Sequence, residues 1–151
     1  MWEAFQRFRS LDSKAQVIFG RAVALLPWVM VSLRLRGFKS TQASLQKKLT
    51  PASPEEGTGA IVETVCRMVK AAGYYGFARP NCLEESLVLW YLLRRQYIPA
   101  ALRIGVRKTQ GAFEAHAWVE YQGAPLNHGE WTHPHYAAFE AEFSQFTGEV
   151  P

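Results

Sequence analysis

The run that follows Asn81 is apolar almost all the way round a helix, with Leu83, Leu87, Leu89, Trp90, Leu92 and Leu93 leaving little face for water. A helix of that kind has to lie at the centre of its domain. Asn81 is placed to cap it, because an Asn side-chain oxygen accepts from the free backbone N–H groups of a first turn. Cys82 then falls inside that turn, with Glu84 and Glu85 just behind it, and Arg94 and Arg95 complement the far end of the helix dipole. The spacing predicts one buried helix from Cys82 to about Tyr97.

Beyond Pro99 the periodicity changes from helical to two-residue. Leu102, Ile104 and Val106 alternate with Arg103 and Arg107 across residues 101–107, and a second β-type run covers Phe113 to Tyr121. Gln122-Gly123 reads as a two-residue turn, followed by a short third strand from Pro125 to His128. A central helix packed on a small antiparallel sheet makes the fold class α+β.

Upstream, Ser10 and Asp12 are start signals for a helix that Val17, Ile18, Ala22, Leu25 and Leu26 carry forward, and that Pro27 should kink or end. Residues 39–56 are polar, hold Pro51 and Pro54, and read as a connection with one helical turn around Leu45. A second helix opens at Thr58 or Gly59, with Ile61, Val62, Val65, Cys66 and Val69 on one face and Gly73 closing it. Cys66 lies within that stripe and reads as a small core residue. Tyr74 to Pro80 forms an aromatic turn that leads to Asn81, and the tail from Glu130, rich in Trp131, Tyr136, Phe139, Phe143 and Phe146, is expected to wrap the core with one helix at 137–146. The whole chain reads as one domain: residues 1–57 a helical region and connection, 58–130 the core, and 131–151 the wrap.

With 48% hydrophobic and 20% charged residues, the chain is globular rather than disordered. Its net charge of +4 is concentrated in Arg34, Arg36, Lys39, Lys47 and Lys48, either a solvated face or a docking patch. No nucleic-acid motif accompanies that cluster. Two cysteines, Cys66 and Cys82, make neither a disulfide framework nor a zinc site, and imply a reduced, cytoplasmic setting. Arg21 splits the apolar run Ala15–Leu33, so a buried or interfacial helix is expected there, with peripheral contact to a membrane left open.

The chemistry-bearing pair is Cys82 and His116. Aligned N–H groups at a helix start favour thiolate over thiol, and an imidazole is the usual base beside a cysteine nucleophile. If Gln122-Gly123 is a two-residue hairpin turn, Tyr121 pairs with Ala124 and Trp118 with Asn127, so Asn127 lies diagonally beside His116; a longer loop would bring His128 round instead. Glu120 shares the face of His116, and Glu130 is a further candidate. His128, His133 and His135 form an H-x4-H-x-H cluster, but Pro134 interrupts it and no acidic or thiol partner joins, so neither a metal nor a cofactor is expected.

A cysteine at the start of a central helix, a histidine on a following strand and a polar residue on the next is the arrangement of papain-like and transglutaminase-like enzymes. C-L-x-x-S-L-x-L-x-x-L-L-R-R, then L-R-I-G-V-R-K, then F-x-A-H-A-W-V-E-x-x-G-x-x-L-N, over residues 82–127, resembles the stand-alone B2 proteins of lasso-peptide biosynthesis, a transglutaminase-like family of cysteine leader peptidases. The resemblance implies a transglutaminase-like core in which Cys82 attacks the leader–core junction of a ribosomally made precursor and His116 shuttles the proton. It also implies partners: the precursor leader peptide, a leader-recognition B1 protein and a C macrolactam synthetase. The family's usual Asp, about a dozen residues after the histidine, is missing, since the only Asp in the chain is Asp12. Asn127 is the expected third member, with His128, Glu120 and Glu130 as alternatives; the Cys82 N–H is expected to face the oxyanion. A rival reading is a non-catalytic module that binds the precursor on the same fold, and a weaker one is an acyltransferase to an amine.

Overall fold

The computed structural model describes residues 12–49, 58–109, 111–127 and 137–138. The first helix, α1 (Ser13–Gln46), starts after Asp12, whose side chain makes no capping hydrogen bond. Ala15, Ile18, Ala22, Leu26 and Val29 recur at spacings of three and four and are buried along one side. Contrary to expectation, Pro27 neither ends the helix nor takes it out of helical backbone. Proline's fixed φ is compatible with a helix, and the apolar packing of Ala22, Leu26 and Val29 on either side carries the chain across the one missing N–H.

The break falls at Gly37 instead (φ 75°, ψ 176°), a backbone conformation that only glycine adopts freely. There the chain folds back on itself. Ser32 Oγ lies 2.8 Å from Thr41 Oγ1, Arg36 donates to Ser44 Oγ at 2.9 Å, and Lys48 Nζ stands 5.9 Å from the Trp28 ring. Thr41 spends its own proton on the Gly37 carbonyl, so the shared proton comes from Ser32. Residues 39–46 are therefore helix rather than connection: the segment is polar by composition, yet Thr41, Gln42 and Leu45 are buried with the Thr41 hydroxyl satisfied.

α2 (Thr58–Tyr75) buries Val62, Val65, Met68, Val69 and Ala72, with Cys66 at the edge of the stripe. It runs two residues past Gly73. That glycine serves a close approach instead, since a Cβ there would sit 3.1 Å from Pro80 Cγ in the segment that leads to Asn81. α3 (Cys82–Arg95) is the central helix: seven consecutive residues, Leu87 to Leu93, are buried. It stops short of Tyr97, which takes a positive φ of 61° as the chain turns toward the sheet.

The sheet has four strands in the order β3-β2-β1-β4: β1 (Ala101–Thr109), β2 (Ala112–Tyr121), β3 (Ala124–Pro125) and β4 (Ala137–Ala138), all antiparallel to their neighbours. Gln122 (φ 50°) and Gly123 (φ 77°) form the two-residue turn, of the type that matches strand twist, and Tyr121 pairs with Ala124 as the shorter loop predicts. β3 sits earlier than expected and is shorter, because at residue 127 a side chain, not the backbone, meets β2. Ala137 and Ala138 pair with Val106 and Gly105, so no helix starts at 137; the remainder of that expected helix, and the aromatic wrap, lie outside the described residues.

One apolar cluster joins the three helices to the sheet through Leu102 and Val119. Among the described residues, α1 is the helix long and apolar enough to cross a membrane by length and composition, with a mean hydropathy of 1.6 over its most apolar stretch, while its buried side packs on α2 and α3.

Candidate active site

Cys82 owes its position to the cap before it. Asn81 Oδ1 accepts from the N–H groups of Leu83 and Glu84 at 3.0 Å, and Glu84 reaches back to accept from the Asn81 N–H at 2.8 Å, a complete capping box. Cys82 is thus held, half-buried, at the first position of a helix whose direction is fixed from both sides. The cap takes the N–H groups of Leu83 and Glu84 and not that of Cys82. Glu85, in the same turn, has its carboxyl pushed up by burial, an effect that Lys70 partly offsets.

One turn further on, Ser86 is fully buried and polar inside an apolar helix. Its hydroxyl donates to the Ala117 carbonyl at 3.0 Å and accepts from Asn127 Nδ2 at 2.7 Å, while Asn127 Oδ1 accepts from the Val119 N–H at 2.9 Å. Helix, strand and the segment after β3 are tied at this point. Cys82 and Ser86 stand four residues apart, on one helix face. The tie therefore fixes the second turn of α3 on β2 at Ala117, the residue next to His116.

His116 is half-buried on β2, opposite Gly105. Its pKa is lowered from the ordinary 6.5, first by burial and second by the Arg107 guanidinium, so the neutral ring that can accept a proton is the favoured form. Along the same face, the ring lies 6.3 Å from that of Trp118 at 19° between planes, and Trp118 Nε1 donates to Glu120 Oε1 at 2.9 Å. Glu120 also holds Arg103 at 3.0 Å. Of the residues expected to back the imidazole, Asn127 thus bonds Ser86 and Val119, and Glu120 bonds Trp118 and Arg103; His128 and Glu130 lie outside the described residues.

Ser86 stands in the sequence as the serine of the C-L-x-x-S-L run, with no role given to it there. A serine set four after the cysteine in an otherwise apolar helix was the available signal. The segment before Asn81 adds exposed aromatics: Tyr74, Tyr75 and a fully exposed Phe77, with Arg79 donating to the Tyr74 carbonyl and covering its ring. Among the described residues no group of three or more His, Cys, Asp or Glu side chains could hold a metal, and His133 and His135 lie outside them.

Neither the curated proteins nor the solved structures contain a match to this chain. A family model, that of the transglutaminase-like superfamily, matches residues 22–141, a span that takes in most of α1 and every later element. Over most of its length this chain belongs to the transglutaminase-like superfamily.

Proposed function

We propose that the protein is a cysteine peptidase that removes the leader from a lasso-peptide precursor. Cys82 is the nucleophile and His116 the general base and then acid. The observation behind this reading is the Ser86 link, in which the side chain one turn after Cys82 donates to the carbonyl of Ala117, the strand residue that follows His116. His116 takes the thiol proton as sulfur attacks the scissile carbonyl, and the Cys82 N–H is the nearest backbone donor for the developing oxyanion. The proton then passes to the leaving amine, the leader-bearing thioester is hydrolysed by a water that His116 deprotonates, and the thiol is restored. Asn127 acts at one remove as a positioning residue, by holding Ser86 and β2 in register. The cytoplasmic setting and the partner proteins, a B1 leader-recognition protein and a C synthetase, belong to the same reading.

The test is incubation of the protein with precursor and leader-recognition protein, read by mass spectrometry. Release of the leader by the native chain and its absence with Cys82→Ala is the expected result. A native chain that binds precursor but leaves it intact would favour the second reading, a binding module. The specific feature behind that alternative is the lack of any Asp after Asp12.

A further inference from the structure

The solvent side of α1 carries an apolar stripe that the fold does not use. Val17 (51% exposed), Trp28 (38%), Val31 (56%) and Leu35 (79%) fall on one side of the helix, together with exposed Ala24. This is the side opposite Ala22, Leu26 and Val29, which are turned to α2 and α3. Past Asp12, which lines one cavity with Val17, the charge along this part of the chain is of one sign only. Between residues 13 and 54 the chain holds seven basic side chains (Lys14, Arg21, Arg34, Arg36, Lys39, Lys47 and Lys48) and no acidic one.

The reversal at Gly37 concentrates both features. It brings the chain's return leg back along the helix, so that Lys48 reaches the ring of Trp28 at 5.9 Å, and Arg36 is held to Ser44. An exposed Trp with a basic ring is the composition of a side that lies in a bilayer interface, where the indole meets headgroups and the cations meet phosphate. An acidic protein groove would offer the same charge. A single convex helix side, however, presents its apolar residues in a line on a surface rather than as a knob for a pocket.

We propose that this side of α1 is a docking surface for anionic phospholipid bilayers. The helix lies parallel to the membrane, with Trp28, Val31 and Leu35 in the headgroup layer and Arg21, Arg34, Lys39 and Lys48 on lipid phosphates. This surface does not depend on the peptidase reading, because it lies on α1 and draws on neither Cys82 nor His116.

Co-sedimentation of the full-length protein with phosphatidylcholine vesicles, with and without 30–40% phosphatidylglycerol, tests it directly. Binding to the anionic vesicles at least about tenfold tighter than to neutral ones is expected, falling as salt is raised, since each basic group near such a surface strengthens binding about fivefold. Trp28→Ser with Leu35→Ser, and separately Arg34→Glu with Lys39→Glu, should each weaken binding about tenfold or more. These side chains are exposed, and an unchanged far-UV circular dichroism spectrum and melting temperature keep the comparison fair. Equal binding to neutral and anionic vesicles, no binding by the native chain, or full binding by either double variant would each overturn the proposal. So would a native dimer in light scattering that ignores vesicles and turns monomeric in Trp28→Ser/Leu35→Ser, which would assign the stripe to self-association.

Discussion

Cys66 and Cys82 are both free, both half-buried, and both on helices that face one core, yet they occupy different places along those helices. Cys66 sits in the middle of α2, where burial, helped by the charges of Glu63 and Glu85, pushes its thiol up to about 11. At neutral pH it is a packing residue. Cys82 differs in where it lies along its helix rather than in how deeply it is buried: it occupies the first position after a complete cap, one turn from the hydroxyl that bonds the histidine's strand. Exposure alone would have ranked the two as equals. Position relative to a helix end separates them.

The sharpest way to break that contrast is to remove each thiol in turn. Cys82→Ala is expected to lower kcat/KM for precursor cleavage by on the order of a thousandfold or more, while Cys66→Ala leaves it within about twofold. Equal losses would sink the distinction. Alkylation by iodoacetamide at pH 7 sharpens it without any substrate. A thiol near 11 carries roughly a hundredfold less thiolate than one at the ordinary 9.0, so Cys66 should label about that much more slowly than a free cysteine, with mass-mapped peptides as the readout.

Smaller effects probe what holds Cys82 in place. Asn127→Ala strands the Ser86 hydroxyl bond and the Val119 N–H, and urea denaturation should show a loss of about 1–3 kcal/mol. Asn81→Ala removes the acceptor for two N–H groups and should cost about 1 kcal/mol; no change would mean the cap does not fix the helix start. The least of the effects is on pH dependence. Because burial and Arg107 lower the pKa of His116, the base stays neutral to below pH 6.5, and the acid limb of kcat/KM should lie below that value. Arg107→Gln should move the limb up. The sign for stability follows: the unfolded chain takes up the proton first as pH falls through 6.5, so the folded state loses stability there rather than gaining it.

Most of the frame was legible because it rests on local rules. Asn81, the apolar run after it and the alternation in residues 101–107 each act within a few residues, and the Gln122-Gly123 turn fixed the β2–β3 register. The return leg of α1 was not legible. It depends on one glycine at positive φ and on a Ser32–Thr41 contact that satisfies a hydroxyl in the interior, and neither leaves a periodic trace. Ser86 was hidden for a related reason: a lone serine in an apolar helix acquires meaning only once Ala117 and Asn127 are brought to it. The partner of the imidazole was illegible from the start, since the one Asp of the chain lies ahead of α1 and a one-residue change in the loop after Tyr121 exchanges Asn127 for His128.

β4 is two residues long, yet it closes a row of three across the sheet, Ala138 beside Gly105 and Gly105 beside His116. At Gly105 and Val106 those two residues occupy the outer hydrogen-bonding edge of β1, the kind of edge that otherwise invites a strand from another chain. The same short ladder makes the last part of the chain a fastener for the histidine's own row. Proteolytic nicking ahead of Ala137 would therefore act twice, unshielding an edge and loosening the strand next to the one that carries the base.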